Sequence, residues 1–594
     1  MAQRRRLTTD SGTVVFHAIL FVSFSVLLMT GLRIASDDPV APWLRTLDLL
    51  LPVEDLWFRH MTAAMLLVGA LAGHAMYLVR SRLIARVRLD KARIVSAFRP
   101  GQARSPAIHT FLLWGLLLSL LLEIGTGSAL IFGFGEPALA LHLSGTWLCL
   151  CFVALHIVAQ YAMGGIHQVC RVFRSAVLVV PPPPPDLAEL LAEQLEYNAR
   201  KTLPSSGARP PEQPASPTLF VHPAALGCAV LVAVFAVAAS VEQATRPVLK
   251  VREIASSEAP VLDGDLSDPA WRKTIPVSAL TTQGGDFGGK GESVVEVRAL
   301  HDDQFAYFAF VWQDPTRSLK HLPMIKSADG WQVAQTDHDK GNEVRFNEDK
   351  FAVLIGRPAF PLIGAAIHLS SMAARGKAAS ATGRGLHFTK GAIADVWVWR
   401  ASHQGLDGHI DNCHFGGLSE PTIEEVEGRA RYKGGFALDP GPAAYVSNAV
   451  YPTSSGGPKV IHPLRLPRDL AVTAKEMGRI NIDVDQSESE GSRWWMSDLD
   501  TVPYTPAADA ALPIGTVIPG IIMHTPPNQD GRSSVRGVAR WASGHWTLEL
   551  ARRLDTGSAY DLPIKSGMLM WVAAFDHSES RHTRHLRPFR LEVE

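Results

Sequence analysis

The chain has few cysteines and no cysteine motif. Only 5 of its 594 residues are Cys, and no CxxCH occurs, which excludes covalent attachment of a c-type haem. No two CxxC pairs stand at the spacing of zinc ligands, so neither a cysteine zinc site nor a disulfide framework is indicated. The information about function must come from other residues.

An excess of charge of one sign is also missing. The 57 basic residues balance the 57 acidic ones, and charged residues make up only 19% of the chain. No basic surplus is present to attract nucleic acid, so a nucleic-acid partner is not expected. The sequence also offers no nucleophile with its base and no glycine-rich phosphate loop in a suitable context, so catalysis beyond redox chemistry is not indicated.

What the chain does have is long apolar runs. Each is long enough to cross about 30 Å of hydrocarbon at about 1.5 Å per residue. The first follows three arginines like a signal peptide, but its core is too long and no cleavage site follows, which favours a retained helix. The five runs span residues 12–35, 57–79, 108–134, 138–165 and 219–241.

The loops between these runs differ in charge. Eight Lys and Arg residues lie between the second and third runs, whereas the loop after the first offers only Arg45. By the positive-inside rule, the N-terminus and the basic loop are cytoplasmic in the inner membrane of a bacterium. The proline-rich residues 176–218 then form a cytoplasmic linker. The fifth span delivers everything after about Glu242 to the periplasm.

The remaining 245–594 contain no further apolar span. Short alternating runs such as 294–300, 305–312 and 546–551 are separated by Gly, Asp and Pro turns, which is typical of strands. We expect an all-β sandwich. Because 594 residues are too many for one core, the chain is multidomain. The predicted parts are a helical membrane domain of four spans (1–175), the linker (176–218), the fifth span (219–241) and the periplasmic sandwich (245–594).

Five of the histidines in the spans are functional candidates, because an ionisable side chain is expensive inside a membrane. They are His17, His60, His74, His142 and His156. His60 and His74 are 14 residues apart, as are His142 and His156. Fourteen residues return to nearly the same helix face after a rise of about 21 Å. Each helix therefore carries two imidazoles on one face, one near each membrane surface.

Two imidazoles from facing helices at one depth are what bis-histidine ligation of haem b needs. His60 and His142 share the periplasmic level, and His74 and His156 share the cytoplasmic level. The pattern predicts two stacked haems b. His17 reaches the same level as His74 and His156, and only two of these three can bind one iron. The alternative is that single histidines only hydrogen-bond between helices.

The N-terminal part resembles a known family. TVVFHAILF at 13–21, LLMTGL at 27–32 and the histidine pair of the fourth span resemble the b561-like cytochrome b subunits of membrane-bound formate dehydrogenases and nickel hydrogenases. The resemblance covers about 10–175 and implies a di-haem protein that reacts with quinone. In that family the span-one histidine is a ligand, which favours His17 over His74 as the partner of His156.

The C-terminal part resembles a second family. The opening EAPVLDGDLSDPAW at 258–271 is similar to the start of carbohydrate-binding-module-9-like and DOMON-like sandwiches. Later blocks resemble the haem-binding domain related to the ethylbenzene dehydrogenase γ subunit: NEDKFAVL at 347–354, GRGLHFT at 383–389, DVWVWRA at 395–401, DGHIDNCHF at 407–415 and ELARRLDTG at 549–557. The resemblance implies one haem b, exchanging electrons with a molybdenum enzyme or another redox partner.

The axial ligands of this periplasmic haem are less clear from the sequence. Relatives often read WHWK where this chain has Trp397, Val398, Trp399 and Arg400, and others carry a CxxCH that is absent around His368. Neutral or soft donors brought together from distant strands are needed. The candidates are His368, Met372, His387 and His582.

Two further patterns have competing explanations. The tryptophan pairs Trp397/Trp399 and Trp494/Trp495 could wall a haem pocket or simply pack the core. Three histidines, His577, His582 and His585, are close enough in sequence to suggest zinc, although they fall in a loop of mixed charge.

The sequence therefore predicts an electron-transfer subunit rather than a stand-alone enzyme. Electrons would pass between the quinone pool, at the membrane haems, and a periplasmic redox protein or molybdoenzyme-type complex. Two other functions are compatible with the same pattern. One is a membrane-anchored sensor whose sandwich binds a small ligand, and the other is a reductase of an extracellular metal acceptor.

Overall fold

The computed structural model covers most of the chain. Residues 171–176 and 180–221, which hold nearly all of the predicted linker, lie outside the part that it describes. It describes residues 5–7, 10–36, 42–47, 50–52, 56–99, 104–170, 177–179, 222–334, 346–358, 367–369, 387–389, 392–403, 408–420, 433–450, 461–478, 487–488, 491–524, 531–578 and 581–594.

The chain separates into two compact units. The helical unit comprises Met1–Leu28, Thr62–Gly125 and His142–Ser240, and the barrel unit comprises Met29–Met61, Thr126–Leu141 and Val241–Glu594. The α-helices are α1 Ser11–Ala35, α2 Leu56–Arg80, α3 Lys91–Phe98, α4 Arg104–Ile131, α5 Gly135–Cys170, α6 Pro223–Ala244, α7 Leu470–Met477 and α8 Pro506–Ala510.

Five of these helices are long and apolar enough to cross a membrane, namely α1, α2, α4, α5 and α6. They coincide with the five apolar runs of the sequence. Within the helical unit, Leu67, Leu120 and Cys149 form a buried cluster with side chains of α1. This cluster therefore packs α1, α2, α4 and α5 together, because each of these helices contributes to it.

In the helical unit, α6 packs closely on α2 at a small-residue motif. Gly69 and Gly73 are four residues apart on one face of α2, a spacing that lets helix backbones approach in a membrane. A Cβ at Gly73 would lie 2.5 Å from the carbonyl oxygen of Gly227 and 3.0 Å from the Phe16 ring. Phe16, which is 0% exposed, thus fills the notch where the two backbones meet.

Nearly all of the strands lie in the barrel unit, whereas residues 5–7 and 177–179 form a short pair in the helical unit. Their bounds are β1 Arg5–Leu7, β2 Val177–Val179, β3 Val248–Glu253, β4 Val277–Thr281, β5 Ser293–His301, β6 Phe305–Gln313, β7 Met324–Ser327, β8 Gly330–Val333, β9 Lys350–Gly356, β10 Ile367–Leu369, β11 His387–Thr389, β12 Ala394–Arg400, β13 His409–Phe415, β14 Phe436–Leu438, β15 Tyr445–Ser447, β16 Ala449–Val450, β17 His462–Pro463, β18 Arg465–Pro467, β19 Met496–Ser497, β20 Thr501–Pro503, β21 Val517–Ile518, β22 Ile521–Met523, β23 Val535–Ala542, β24 His545–Arg553, β25 Leu569–Phe575 and β26 Phe589–Val593.

Ten of these strands close into a ring. Neighbours pair in the order β12, β9, β25, β26, β3, β5, β6, β24, β23, β13, and β13 pairs back onto β12. Most pairs are antiparallel, whereas β3 is parallel to both β26 and β5. Closure leaves no free edge within the ring, which removes the unpaired backbone groups that an open sheet would expose.

The ring is flattened, so that opposite walls pack as in a sandwich. Phe310 of β6 lies 4.9 Å from Phe351 of β9, and Phe308 of β6 lies 5.7 Å from Trp397 of β12, measured between ring centroids. Strand β6 is not a neighbour of β9 or β12 in the ring. The predicted sandwich therefore has two facing walls, but these belong to one closed barrel.

Strand register defines two ends on the wall formed by β9, β12 and β25. Lys350 pairs with both Arg400 and Phe575, and we call this the Arg400 end. Gly356 pairs with Leu569, and Asp395 pairs with Ile355 and His414, and we call this the Asp395 end. A strand of seven residues separates the two ends by about 20 Å.

Candidate functional site

Four imidazoles gather in the helical unit. His17 of α1 lies within electrostatic range of both His74 of α2 and His156 of α5. The ring of His156 lies 4.6 Å from that of His109 of α4, measured between centroids. The structure thus brings together the three histidines that the sequence placed at the cytoplasmic level, and it adds a fourth. We call these residues the inner histidine cluster.

Two members of this cluster have ring nitrogens that suit a metal. Nε2 of His74 and Nδ1 of His156 are buried and have no hydrogen-bond partner among the described residues. A buried polar nitrogen left without a partner costs free energy, which iron ligation or a bound polar molecule would recover. The cluster therefore fits a haem iron, which needs neutral imidazole nitrogens in a desolvated setting.

His74 is held in place by an aromatic neighbour. The Phe16 ring stacks on the His74 ring at 5.7 Å with an interplanar angle of 6°. Phe16 precedes His17 in α1 and also fills the notch between Gly73 and Gly227. The position of the His74 ring therefore depends on the packing of α6 on α2, because Phe16 contacts both.

The sequence reading missed His109. This residue is the second of the third apolar run and follows closely on Arg104. Its Nε2 hydrogen-bonds the side-chain amide of Gln160 on α5, and Gln168 donates to the Gln160 oxygen over 3.1 Å. The signal that could have found it is the ionisable group inside an apolar run.

The outer histidines each have a polar partner at Nδ1. In the barrel unit, the Thr30 hydroxyl lies 2.9 Å from Nδ1 of His60. In the helical unit, Nδ1 of His142 lies 3.0 Å from a carboxylate oxygen of Glu123. Such a bond fixes the orientation of an imidazole that binds iron through Nε2. Glu123, an acid within the span of α4, was also missed by the sequence reading.

The candidate ligands of the periplasmic haem fall in different places. Strands β10 and β11 pair antiparallel, with His387 opposite Leu369 and therefore next to the position of His368. Met372 lies outside the described residues. His582 is half-buried, with its Nδ1 2.8 Å from the Thr583 carbonyl oxygen and its ring 5.1 Å from Phe575.

His582 and the β10–β11 hairpin lie at opposite ends of the barrel wall. Phe575 marks the Arg400 end, so His582 lies there. Strand β11 is bonded at the Asp395 end, because the Thr389 N–H donates to the Gly416 carbonyl just after β13. His582 and His387 therefore cannot ligate the same iron, and the four candidates are not one ligand set.

Arg400, at the position where relatives often have a lysine, forms ion pairs with two carboxylates. Its guanidinium lies 3.0 Å from Glu348 and 3.4 Å from Asp411. Asp411 is further bound by Arg532 at 3.0 Å and by the Tyr445 hydroxyl at 2.6 Å. Arg400 acts as a structural cation here, since a guanidinium stays protonated and cannot ligate iron.

A fully buried histidine borders these ion pairs. The ring of His403 lies 3.8 Å from that of Tyr445, and its Nε2 has no hydrogen-bond partner among the described residues. Burial lowers the pKa of His403 to about 3, with Asp411 opposing and Arg400 reinforcing that shift. The imidazole is therefore neutral in the folded protein.

The tryptophans and the C-terminal histidines have structural roles. Trp397, Trp399 and Trp494 belong to the main hydrophobic core, and Trp495 packs in a smaller buried cluster. His577 bonds the Asp576 carboxylate, whereas Nδ1 of the buried His585 accepts from the Val572 N–H over 3.4 Å. These histidines bond different groups, and no metal-binding group of the described residues contains them.

Comparisons with known proteins agree with both halves of this description. The family model described as prokaryotic cytochrome b561 matches residues 8–177. The family model described as ethylbenzene dehydrogenase matches residues 268–587. A search of curated proteins gives no match.

Two solved structures are similar at low identity. One is a carbohydrate binding module of family 9 from Caldicellulosiruptor kristjanssonii, in complex with glucose, which is 7% identical to this chain. The alignment covers 58% of this chain and 95% of the module, with a TM-score of 0.21. A putative carbohydrate-binding protein from Bacteroides uniformis is 7% identical and covers 59% of this chain and 100% of its own, with a TM-score of 0.23.

Five membrane-length helices, four of which carry half-buried histidines, thus precede a β-rich unit of ten ring strands, in the same order as the two family models. The ethylbenzene dehydrogenase model alone matches more than half of the residues. The chain belongs to the ethylbenzene dehydrogenase family, and its N-terminal residues 8–177 match the prokaryotic cytochrome b561 model.

Proposed function

We propose that this protein carries electrons between membrane quinone and a redox partner in the periplasm. The observation that carries the proposal is the inner histidine cluster, in which His74 and His156 present buried, unpartnered ring nitrogens inside the helical unit. Haem b, when bound, supplies reversible one-electron transfer at iron. The chain lies in the inner membrane of a bacterium, with the barrel outside, as the charge of its loops predicts.

The side chains of the spans orient the ligands. His156 with His17 or His74 would hold the cytoplasmic-side haem, and His60 with His142 the periplasmic-side haem. Thr30 and Glu123 fix the rings of His60 and His142 through Nδ1. The negative charge of Glu123 also favours electron donation by His142, which lowers a reduction potential.

The pair His109 and Gln160 supports a quinone site beside His156. A quinone takes up two protons with two electrons, so its oxygens need a donor and a proton route. The Gln160 amide N–H donates to Nε2 of His109, so the exchangeable proton of this ring is on Nδ1, and Gln168 extends the chain of polar groups. These polar side chains lie on α4 and α5 next to the unpartnered Nδ1 of His156.

For the barrel, the family match supports one further haem b that meets a periplasmic redox protein or molybdoenzyme-type complex. Its ligands would come from one end of the barrel only. The His368 and His387 positions lie at the Asp395 end and on opposite faces of the β10–β11 pair, so at most one of them would serve a haem on either face.

The test is haem content per polypeptide of the full chain in detergent, together with reduction by a quinol. We expect three haems b that acid–organic extraction removes, and rapid reduction of the membrane haems by duroquinol. Replacing His156 by Ala should remove one haem and slow this reduction. Replacing the exposed His167, on the same helix, should change neither.

Two results would count against the proposal. Full haem content in His156→Ala would refute ligation by the inner cluster. A wild-type chain with two haems would leave the membrane half as the only electron carrier, and the barrel would then be a binding or docking module.

A further inference from the structure

Three buried carboxylates meet in the barrel unit. Asp314 follows β6, Asp349 precedes β9 and Asp576 follows β25, and each side chain is at most 1% exposed. One oxygen of each lies within 4.8 Å of the corresponding oxygens of the other two. We call these residues the aspartate triad. None of them belongs to the haem sites proposed above.

Five of the six triad oxygens accept hydrogen bonds from the surrounding chain. Asp349 accepts from the backbone N–H groups of Ser318 and His577 and from the Trp546 indole. Asp576 accepts from the Phe287 N–H, the Thr316 hydroxyl and the His577 ring. Asp314 accepts from the Thr316 N–H. Donors at so many oxygens suit carboxylates, whereas burial and mutual repulsion raise the pKa of Asp349 to about 8 and the pKa of Asp314 well above its ordinary value.

The sixth oxygen is the exception. Oδ2 of Asp314 is buried and has no hydrogen-bond partner among the described residues, in a side chain that is 0% exposed. After burial itself, the strongest influences on Asp314 are the charges of Asp349 and Asp576, so its carboxylate faces the other two. An ionised oxygen in that position is costly unless a cation compensates it.

The only cation in direct contact with the triad carboxylates, among the described residues, is the His577 ring. Its Nδ1 bonds Asp576, and its Nε2 lies 3.6 Å from Asp286, so it does not reach Asp314. One imidazolium cannot balance three carboxylates. When all three acids are ionised, the remaining negative charge faces the space that the three oxygens enclose.

We propose that the aspartate triad binds one Ca²⁺ ion. All three side chains offer oxygen, which is the donor that hard divalent cations prefer, and Ca²⁺ tolerates irregular sets of carboxylates. The backbone and indole N–H groups then orient these carboxylates by donating hydrogen bonds to them, as hydrogen-bond donors to metal ligands do in known metal sites.

The position gives such an ion a structural role. Asp314 belongs to one wall of the flattened barrel, whereas Asp349 and Asp576 belong to the opposite wall. Directly beside them, Trp312 of β6 stacks on Phe351 of β9 at 4.5 Å. A cation held by the triad would fasten the two walls together at the Arg400 end, next to the aromatic core.

The experiment uses the full chain in detergent. Metal content is measured by mass spectrometry after dialysis against CaCl₂, and thermal unfolding is followed by tryptophan fluorescence, to which Trp546 contributes from within the site. We expect one Ca²⁺ per chain, a fall in Tm of about 5 °C or more with EGTA, and its recovery with added CaCl₂.

Variants distinguish a bound Ca²⁺ ion from the alternative explanation, in which the three acids share a proton. Asp314→Asn and Asp576→Asn should each lose the bound Ca²⁺ and show the same Tm with and without EGTA. Asp303→Asn makes the same charge change at an exposed position and should keep the full response.

A wild-type chain that holds no Ca²⁺ and keeps its Tm in EGTA would overturn the proposal. In that case Asp314→Asn should raise the Tm, because it relieves repulsion between acids. Equal recovery with MgCl₂ would overturn the assignment to calcium. If a variant fails to fold, the effect of EGTA on the Tm of the wild-type chain still tests the proposal.

Discussion

At the scale of single residues, His17 has two possible partners. It lies close to both His74 and His156, and one iron can take only two of the three imidazoles. His156→Ala should remove the cytoplasmic-side haem whichever pair is used. The resemblance to formate dehydrogenase and hydrogenase cytochromes favours His17, so His17→Ala should remove the same haem. His74→Ala should keep it.

Reduced-minus-oxidised spectra and haem quantification of the three variants distinguish these outcomes. His74→Ala should still lower thermal stability, because it removes a buried ring that stacks on Phe16. If His74→Ala loses one haem and His17→Ala loses none, the pair is His74 with His156, as the spacing of 14 residues alone suggests.

His403 makes a second prediction at this scale, concerning pH. Burial lowers the pKa of His403 to about 3, whereas an unfolded histidine has a pKa of about 6.5. Below pH 6.5 the unfolded chain gains a proton that the folded chain does not. Its contribution to stability is therefore intact above about pH 6.5 and is lost at up to about 1.4 kcal/mol per pH unit as the pH falls towards 3.

Denaturant unfolding, followed by tryptophan fluorescence between pH 7 and about pH 4.5, measures this loss. His403→Phe keeps a ring against Tyr445 and should flatten the pH dependence, whereas His545→Gln, at an exposed position, should not. If the free energy of unfolding changes equally with pH in the wild type and in His403→Phe, then groups other than His403 cause the pH dependence.

At the scale of elements, the contact between α2 and α6 depends on two glycines. A methyl group at Gly73 would meet the Gly227 carbonyl oxygen and the Phe16 ring, neither of which can yield without moving a helix. Gly73→Ala should therefore cost about 1–3 kcal/mol of stability. Because Phe16 stacks on His74, the variant should also release the cytoplasmic-side haem at a lower temperature.

The matched control is Gly125→Ala in α4, where a methyl group meets nothing within 4 Å. It should leave the thermal release of haem unchanged or slightly delayed. Identical behaviour of the two variants, measured by absorbance on heating, would mean that close packing of α6 does not support the haem site.

Much of this organisation could be predicted from the sequence, because its causes are local. The length of the apolar runs predicts the five helices, and helical periodicity predicts that His74 and His156 share a level. The sequence blocks quoted above for the C-terminal part also contact one another in the fold. The Trp271 indole donates to Glu549 over 2.6 Å, and Asp395 pairs with Arg552 at 2.8 Å in a fully buried ion pair.

Other features depend on contacts between distant residues. Closure of the barrel needs β12 to pair with β13 while both also pair elsewhere, and no periodicity records that. The aspartate triad draws its members from three loops that are far apart in sequence. His109 becomes a candidate only through the neighbouring His156 ring.

At the scale of the whole molecule, the orientation in the membrane can be tested directly. The basic loop before α4 and the odd number of spans require opposite sides for the loop and the barrel. A reporter fused after Arg104 should behave as cytoplasmic and one fused after Pro260 as periplasmic. Alkaline phosphatase and green fluorescent protein give complementary readouts. Finding Pro260 inside would overturn the arrangement.

The pairing of β26 with β3 also has a consequence for biosynthesis. The first strand after α6 finds its parallel neighbour about 340 residues later, with Val248 opposite Arg590. Ribosomes add about 5–20 residues per second, so β3 waits about 20–70 s before the ring can close. During that time the growing chain exposes an unpaired strand edge. This segment must therefore be kept from aggregating during synthesis, and truncations that remove β26 should be degraded rather than accumulate.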